Sequence, residues 1–281
     1  MAASRCRASR LLFSATSGAP VLRRQTVASL TDFPCRLCSS DEAAGAALAD
    51  AVAAAGGVLG AAVSCSDRGG LADDDATTCG EDQPLLLDRL FALAAARGLD
   101  VDVHVDENGN AESRGLLAVA SAALRCSAFR GRLLCGHCCA LAAQPPDVLA
   151  ATLDAAKAAG LTVVSLPAVN LWLQDRDAAG KRTPRRRGVT LLKELAAAGV
   201  PVALASDNTR DQFYAYGDLD MLDVFRDAVR IGHLDRPFVD WPTAITTTPA
   251  RAMGLPADCA TLCPGAPAVR ARVCFVKKSA C

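Results

Sequence analysis

The chain has 281 residues, is 51% hydrophobic, and carries 30 basic against 30 acidic side chains, so its formal net charge is zero. This length and apolar content are ample for one sizeable α/β core, and the balanced charge argues against nucleic acid or an acidic membrane surface as the main partner. No apolar run reaches the length of a membrane span; the nearest candidate, residues 43–63, is rich in Ala and Gly and interrupted by charge.

Residues 1–24 stand apart, with Arg5, Arg7, Arg10, Arg23 and Arg24 and no acid before Asp32. That composition suits an organellar transit peptide, and equally an incorrectly assigned start. The chain therefore divides into a leader (1–24), an α/β region (25–254) and a short tail (255–281). The expected location is intracellular: the cytoplasm, or an organelle if the leader is a targeting segment.

Between residues 25 and 254, short apolar runs with β character alternate with Ala/Leu-rich stretches at helical spacing. The predicted strands are 26–30, 58–63, 101–105, 132–136, 162–166 and 202–205. The predicted helices are 42–55, 84–97, 112–124, 147–159, 190–198, 221–231 and 243–253. Gly56, Gly98, Gly160 and Gly199 follow helices just before a strand, the pattern of a C-terminal cap feeding a short loop. Repeated βα units with near-continuous apolar strands imply a parallel sheet covered by helices. Six units are fewer than the eight that close a barrel. An open doubly wound sheet is the alternative, but no Gly-rich phosphate loop follows any strand to support a nucleotide site.

The 13 cysteines lie largely within apolar stretches and no secretory segment precedes them, so buried reduced thiols are expected rather than a disulfide framework. Cys35/Cys38 and Cys135/Cys138 form two CxxC pairs, almost a hundred residues apart and without a zinc-knuckle context; structural cysteines are the favoured reading.

In parallel α/β folds the site lies at the carboxyl ends of the strands. The third run ends Asp102-Val103-His104-Val105-Asp106-Glu107, the fourth Cys135-Gly136-His137, and the sixth Ala205-Ser206-Asp207-Asn208. Two of only three histidines and an aspartate thus share one rim. Imidazole and carboxylate bind Zn²⁺ or Fe²⁺, such an ion lowers the pKa of water toward neutrality, and a nearby carboxyl can shuttle the proton. Taken singly, each residue has a plainer reading: a histidine in a hydrogen-bonded core, or Asp207 as a helix N-cap. Taken together on one rim, they point to a site. His233, beside Arg230 and Asp235, reads as a helix C-terminal cap. The basic run 182–187, with Pro184 inside it and Gly188 after it, reads as a solvated loop; without interleaved aromatics it does not suggest nucleic acid.

These strings resemble the cytosine deaminase-like members of the metal-dependent amidohydrolase superfamily, which are (β/α) TIM-barrel proteins. Residues 102–107 resemble the family's D-V-H-x-D-E, and residues 167–176 (Pro-Ala-Val-Asn-Leu-Trp-Leu-Gln-Asp-Arg) its P-x-x-N-x-x-L-Q segment. Arg187-Gly188-Val189-Thr190 with Lys193-Glu194 resembles the R-G-[IV]-T…K-E stretch, and Asp207-Asn208 through Met221-Leu222 its last strand-end loop. The similarity spans about residues 25–254, with the six runs as strands 3–8 and strands 1–2 missing.

The resemblance implies one divalent metal ion, zinc or iron, held by His104 and Asp207. Asp207 would also take a proton from the attacking water. Glu107 would protonate a ring nitrogen and then assist loss of ammonia, while His137 orients the water. Asn208, Phe213 and Asn170 would bind the substrate, and the reaction would be hydrolytic deamination of cytosine or a similar ring amine. A related hydrolase of another ring amine, such as an aminotriazine, is the neighbouring reading.

Four departures bear on this. No His-x-His pair occurs, so two of the family's ligands are absent; the metal could be lost with them, leaving an inactive fragment with at most ligand binding. The family's substrate-reading glutamine maps near Thr31 and Asp32, and Asn208 replaces a commoner aspartate. Beyond Ala268 a basic tail stands where the family returns to a small β-domain, so both ends read as truncated. Six strands also leave two sheet edges unpaired, a route to self-association.

Overall fold

The structure, a computed structural model, describes residues 25–27, 42–63, 83–177, 179–238, 240–256, 260, 261 and 264. The predicted leader, the Cys35/Cys38 pair, Thr31 and Asp32, and the tail beyond residue 264 lie outside them.

Six parallel strands form one sheet in the order of the chain: β1 (Gln25–Val27), β2 (Val58–Val63), β3 (Val101–Val105), β4 (Leu133–His137), β5 (Thr162–Ser165) and β6 (Val202–Leu204). Sequential order with helical connections is the topology of consecutive units of a (β/α) barrel. The helices are α1 (Glu42–Ala54), α2 (Gln83–Arg97), α3 (Gly115–Arg125), α4 (Pro146–Ala158), α5 (Pro167–Leu173), α6 (Leu192–Ala198), α7 (Met221–Gly232) and α8 (Thr247–Ala252). None of the described helices is long and apolar enough to cross a membrane.

The sheet's two faces differ because side chains alternate along a strand. Val101, Val103 and Val105 of β3 are fully buried beneath the helices, while Asp102 and His104 face the other way and stay partly open. Ala49 and Val52 of α1, Leu87, Leu90, Phe91 and Ala94 of α2, and Leu116, Val119 and Ala120 of α3 close the covered face. Their spacing of three and four residues puts them on one side of each helix. Phe91 meets Phe129 edge-on, ring centroids 5.1 Å apart. Among the described residues the sheet ends at β1 and β6 with no strand beyond either, as the open ladder predicts, and α7, a 3-10 segment (Trp241–Ile245) and α8 pack against β6, where Trp241, Ala244 and Ala250 are buried.

Gly56, Gly98, Gly160 and Gly199 take the left-handed conformation predicted for them, with φ of 62, 63, 63 and 83°. His233 ends α7 in the same conformation, its N–H bonded to the Val229 carbonyl.

Three helix boundaries differ from the sequence expectation, each for a local reason. α3 starts at Gly115 rather than 112 because the preceding loop satisfies itself: Asn108 Oδ1 accepts from Asn110 N and Ser113 Oγ, and Asn110 Oδ1 accepts from Glu112 N. Such asparagine turns compete with the helix. α6 starts two residues late because Thr190 Oγ1 donates instead to the His137 carbonyl at 2.6 Å and accepts from Ser165 Oγ at 3.1 Å. The predicted helix 243–253 breaks at Thr246, where Pro249 lacks the N–H that would bond back one turn. α5 was not predicted as a helix; its seven residues begin with Pro167 at a position where a missing N–H costs nothing.

The start of α3 gives a stability test. Asp106, 2% exposed, accepts the Leu116 N–H at 3.2 Å, doing for the helix what Arg114 at the N-cap position does not. A Cβ on Gly115 would lie 2.4 Å from Asp106 Oδ1. Gly115→Ala should therefore displace Asp106 and cost about 1–3 kcal/mol. An unchanged urea midpoint would show that the close approach is not there.

Candidate metal and proton-transfer site

The register of the sheet puts the site on its open face. Ala62, His104 and Gly136 are neighbours across β2, β3 and β4, and the row continues through Val164 and Ala203. Small side chains on both sides of His104 leave its imidazole room above the sheet. The last residue of β4 is His137; its ring centroid is 5.0 Å from that of His104, with the planes at 54°. Glu107 follows β3 by two residues and reaches back, its Oε1 3.3 Å from His137 Nδ1. One donor atom from each of His104, Glu107 and His137 lies within 4.8 Å of the others.

Asn170 of α5 holds two of these groups. Its Nδ2 donates to Glu107 Oε1 at 3.2 Å and lies 2.9 Å from His137 Nδ1. Asn170 is 1% exposed. It was expected to bind substrate; the structure places it against the acid and the second histidine.

Burial sets the charge states. His104 is pushed down to about 4 by burial and by His137 beside it. His137 is lowered by burial, against the opposing pull of Asp207 and the Asn170 bond. Both rings are therefore neutral near pH 7, as metal ligation requires. Glu107 is raised to about 7 by burial, in part offset by Asn170. Its side chain is 32% exposed overall, but the carboxyl end is the part turned inward onto Asn170 and His137. A carboxyl near neutrality is suited to accepting and returning a proton. Asp207 is raised by burial, lowered by His137 and raised again by Glu107. The donor set of imidazole nitrogens and carboxylate oxygens fits zinc or iron and does not choose between them.

The rim is also strained. Asp106, His137, Cys138 and Asp207 have φ of 46, 68, 51 and 61°, where non-glycine residues rarely sit. Such outliers concentrate at functional sites. For His137, the Thr190 bond to its carbonyl helps hold that geometry.

Other expected residues fall outside this cluster. Asp207, read as a ligand with His104, is not in the three-donor group; it stands beside it, close enough to act on His137 and Glu107. Asn208 is turned into its own loop, with Nδ2 2.6 Å from Asp211 Oδ2, and Asp211 Oδ1 also accepts the Phe213 and Tyr214 N–H groups. Phe213 is 41% exposed, and its carbonyl accepts the Trp172 indole N–H at 3.1 Å. Cys135 and Cys138 are buried thiols pushed up by burial, which suits packing rather than ligation. Sequence reading missed Asn170's bridge, Gln174 and Thr190; the four-residue spacing of Asn170 and Gln174, which favours one helix face, was the signal available.

The model of the Amidohydrolase family matches residues 21–268. The chain belongs to the amidohydrolase family. It is 50% identical over 228 residues to a pterin deaminase of Rhizobium rhizogenes, covering 81% of this chain and 48% of that protein. The chain thus spans about half the length of the curated relative it matches. Among solved structures it is similar to a 5-methylcytosine deaminase from Klebsiella pneumoniae liganded with 5-fluorocytosine, with TM-score 0.65, 25% identity, and 82% of this chain against 52% of that one. It is also similar to an N-isopropylammelide isopropylaminohydrolase from Burkholderia multivorans, with TM-score 0.60, 25% identity, and 86% against 54%. Amidohydrolases generally bind a divalent metal, and the cluster of His104, Glu107 and His137 is a candidate place for one.

Proposed function

We propose that this amidohydrolase hydrolytically deaminates a small heteroaromatic ring amine, a pterin in preference to cytosine. The observation that carries the reading is the convergence of His104, Glu107 and His137 on one strand-end rim, with Glu107 raised to about 7. The preference for pterin rests on 50% identity to a pterin deaminase, against 25% to the 5-methylcytosine deaminase.

His104 would hold the divalent ion together with Asp207, which stands beside the three-donor group rather than in it. When bound, that ion supplies a water of lowered pKa as the nucleophile. Asp207 accepts a proton from the attacking water, and the neutral His137 orients it. The water oxygen bonds to the amino-bearing ring carbon while Glu107 delivers a proton to the adjacent ring nitrogen. Glu107, left as a carboxylate, takes the proton of the added hydroxyl and hands it to the amino group; the C–N bond breaks, ammonia leaves, the product carries a carbonyl, and the proton held by Asp207 restores Glu107. Asn208 and Phe213, on the loop that starts at Asp207, border the ring.

One observation favours a second reading. The chain contains three histidines, none in a His-x-His pair, so these residues supply fewer ligands than the family uses and the polypeptide could be inactive alone. Ammonia release from pterin, cytosine and an aminotriazine, by protein loaded with Zn²⁺ or Fe²⁺, separates the two. Turnover of pterin ahead of cytosine is expected. Bound metal without ammonia from any of the three would end the deaminase reading.

A further inference from the structure

Glu107 is held at more than its carboxyl. Gln174, one turn beyond Asn170 and only 9% exposed, donates from Nε2 to the Glu107 carbonyl at 3.1 Å. Asn170 and Gln174 thus grip the side chain and the main chain of the same residue. The basic run that follows continues the grip. Arg186 Nη1 donates to the Gly109 carbonyl at 2.7 Å, and Arg187 donates to the Leu171 carbonyl at 3.1 and 2.8 Å.

Asp175, in the left-handed conformation at φ 56°, is the hub of that loop: its carboxylate accepts from the Arg182 guanidinium and from the Arg185 and Arg186 backbone N–H groups. Those bonds, the Arg182 contact foremost, hold the carboxyl well below the usual carboxylate range. The loop then closes on Gln174 itself, since a Cβ on Gly188 would lie 2.0 Å from Gln174 Cγ. The loop is solvated, as its sequence predicts, with Arg182, Arg185, Arg186 and Arg187 exposed, yet three of these arginines end on a carboxylate and two main-chain carbonyls beside the site.

We propose that Gln174 and the arginine loop clamp the segment 107–109, making Gln174 and Arg186 positioning residues for proton transfer at Glu107. The proposal rests on the role given to Glu107 above. Its physical basis is that a proton carrier displaced by a fraction of an ångström loses its alignment with the substrate, although binding of substrate and metal is untouched.

Gln174→Met removes the donor at similar length, and Arg186→Ala removes the second anchor, with Arg186→Lys retaining a donor. In the full chain loaded with Zn²⁺, the expected result for Gln174→Met and Arg186→Ala is a roughly ten- to hundredfold lower kcat with KM and metal content unchanged. Arg186→Lys should restore most of the loss. Amide hydrogen exchange should quicken only over residues 106–112, where the Asn110 and Glu112 N–H groups have bonds to lose. Unchanged exchange in that segment overturns the clamp. So does faster exchange throughout the sheet, or loss of metal, either of which marks a general structural role. Metal-loaded wild type that releases no ammonia would overturn the proposed function instead, leaving the clamp to stand or fall on exchange.

Discussion

Glu107→Gln is expected to lower ammonia release by about 10²–10⁴-fold while leaving bound metal at its wild-type level. The amide is nearly isosteric and can still meet Asn170, which sits 3.2 Å from Oε1, so the fold has no reason to respond. What disappears is the group that burial raises to about 7 and that accepts and returns the proton. The measurement is ammonia release beside elemental analysis on the same preparation. The geometry makes the metal arm informative, because Glu107 lies within reach of the same point as His104 and His137. If metal leaves with activity, Glu107 is a ligand, and the roles assigned to it and to Asp207 are wrong.

His104→Ala should remove the metal. A fall from about one ion per chain to none is expected, since a site with few protein ligands cannot spare one. His104 suits the role because its imidazole, held to about 4, stays unprotonated at neutral pH, and because Ala62 and Gly136 leave space around it. The substitution faces the open side of β3, away from Val101, Val103 and Val105, so the core should survive, as circular dichroism would show. Unchanged metal in the variant would place the ion elsewhere and remove the link between this rim and hydrolysis.

The strands were legible because fully buried parallel strands write themselves as apolar runs bounded by glycine. Val58–Val63 and Val101–Val105 fall on the predicted residues, and β4 is displaced by one. The rim was legible for a related reason: in a parallel sheet every strand points the same way, so residues at the ends of successive runs must share one edge. His104, Glu107, His137 and Asp207 could be brought together on that basis, and the ordered motifs around them pointed to the amidohydrolases before any contact was known.

What touches what could not be read in that way. Asn170 lies 63 residues from Glu107 and 33 from His137, and its bridge exists only because the register of the sheet and the short helix α5 carry it there. The same holds for Gln174, for the arginines that looked like a bare basic run, and for the separation of Asp207 from the three-donor group. Charge states belong with these, since burial, with His137 beside one group and Asn170 bonded to the other, lowers His104 to about 4 and raises Glu107 to about 7. Local pattern and strand direction determined the fold and the rim; the pairing and burial of side chains distant along the chain decided the chemistry, because both depend on tertiary packing rather than on sequence spacing.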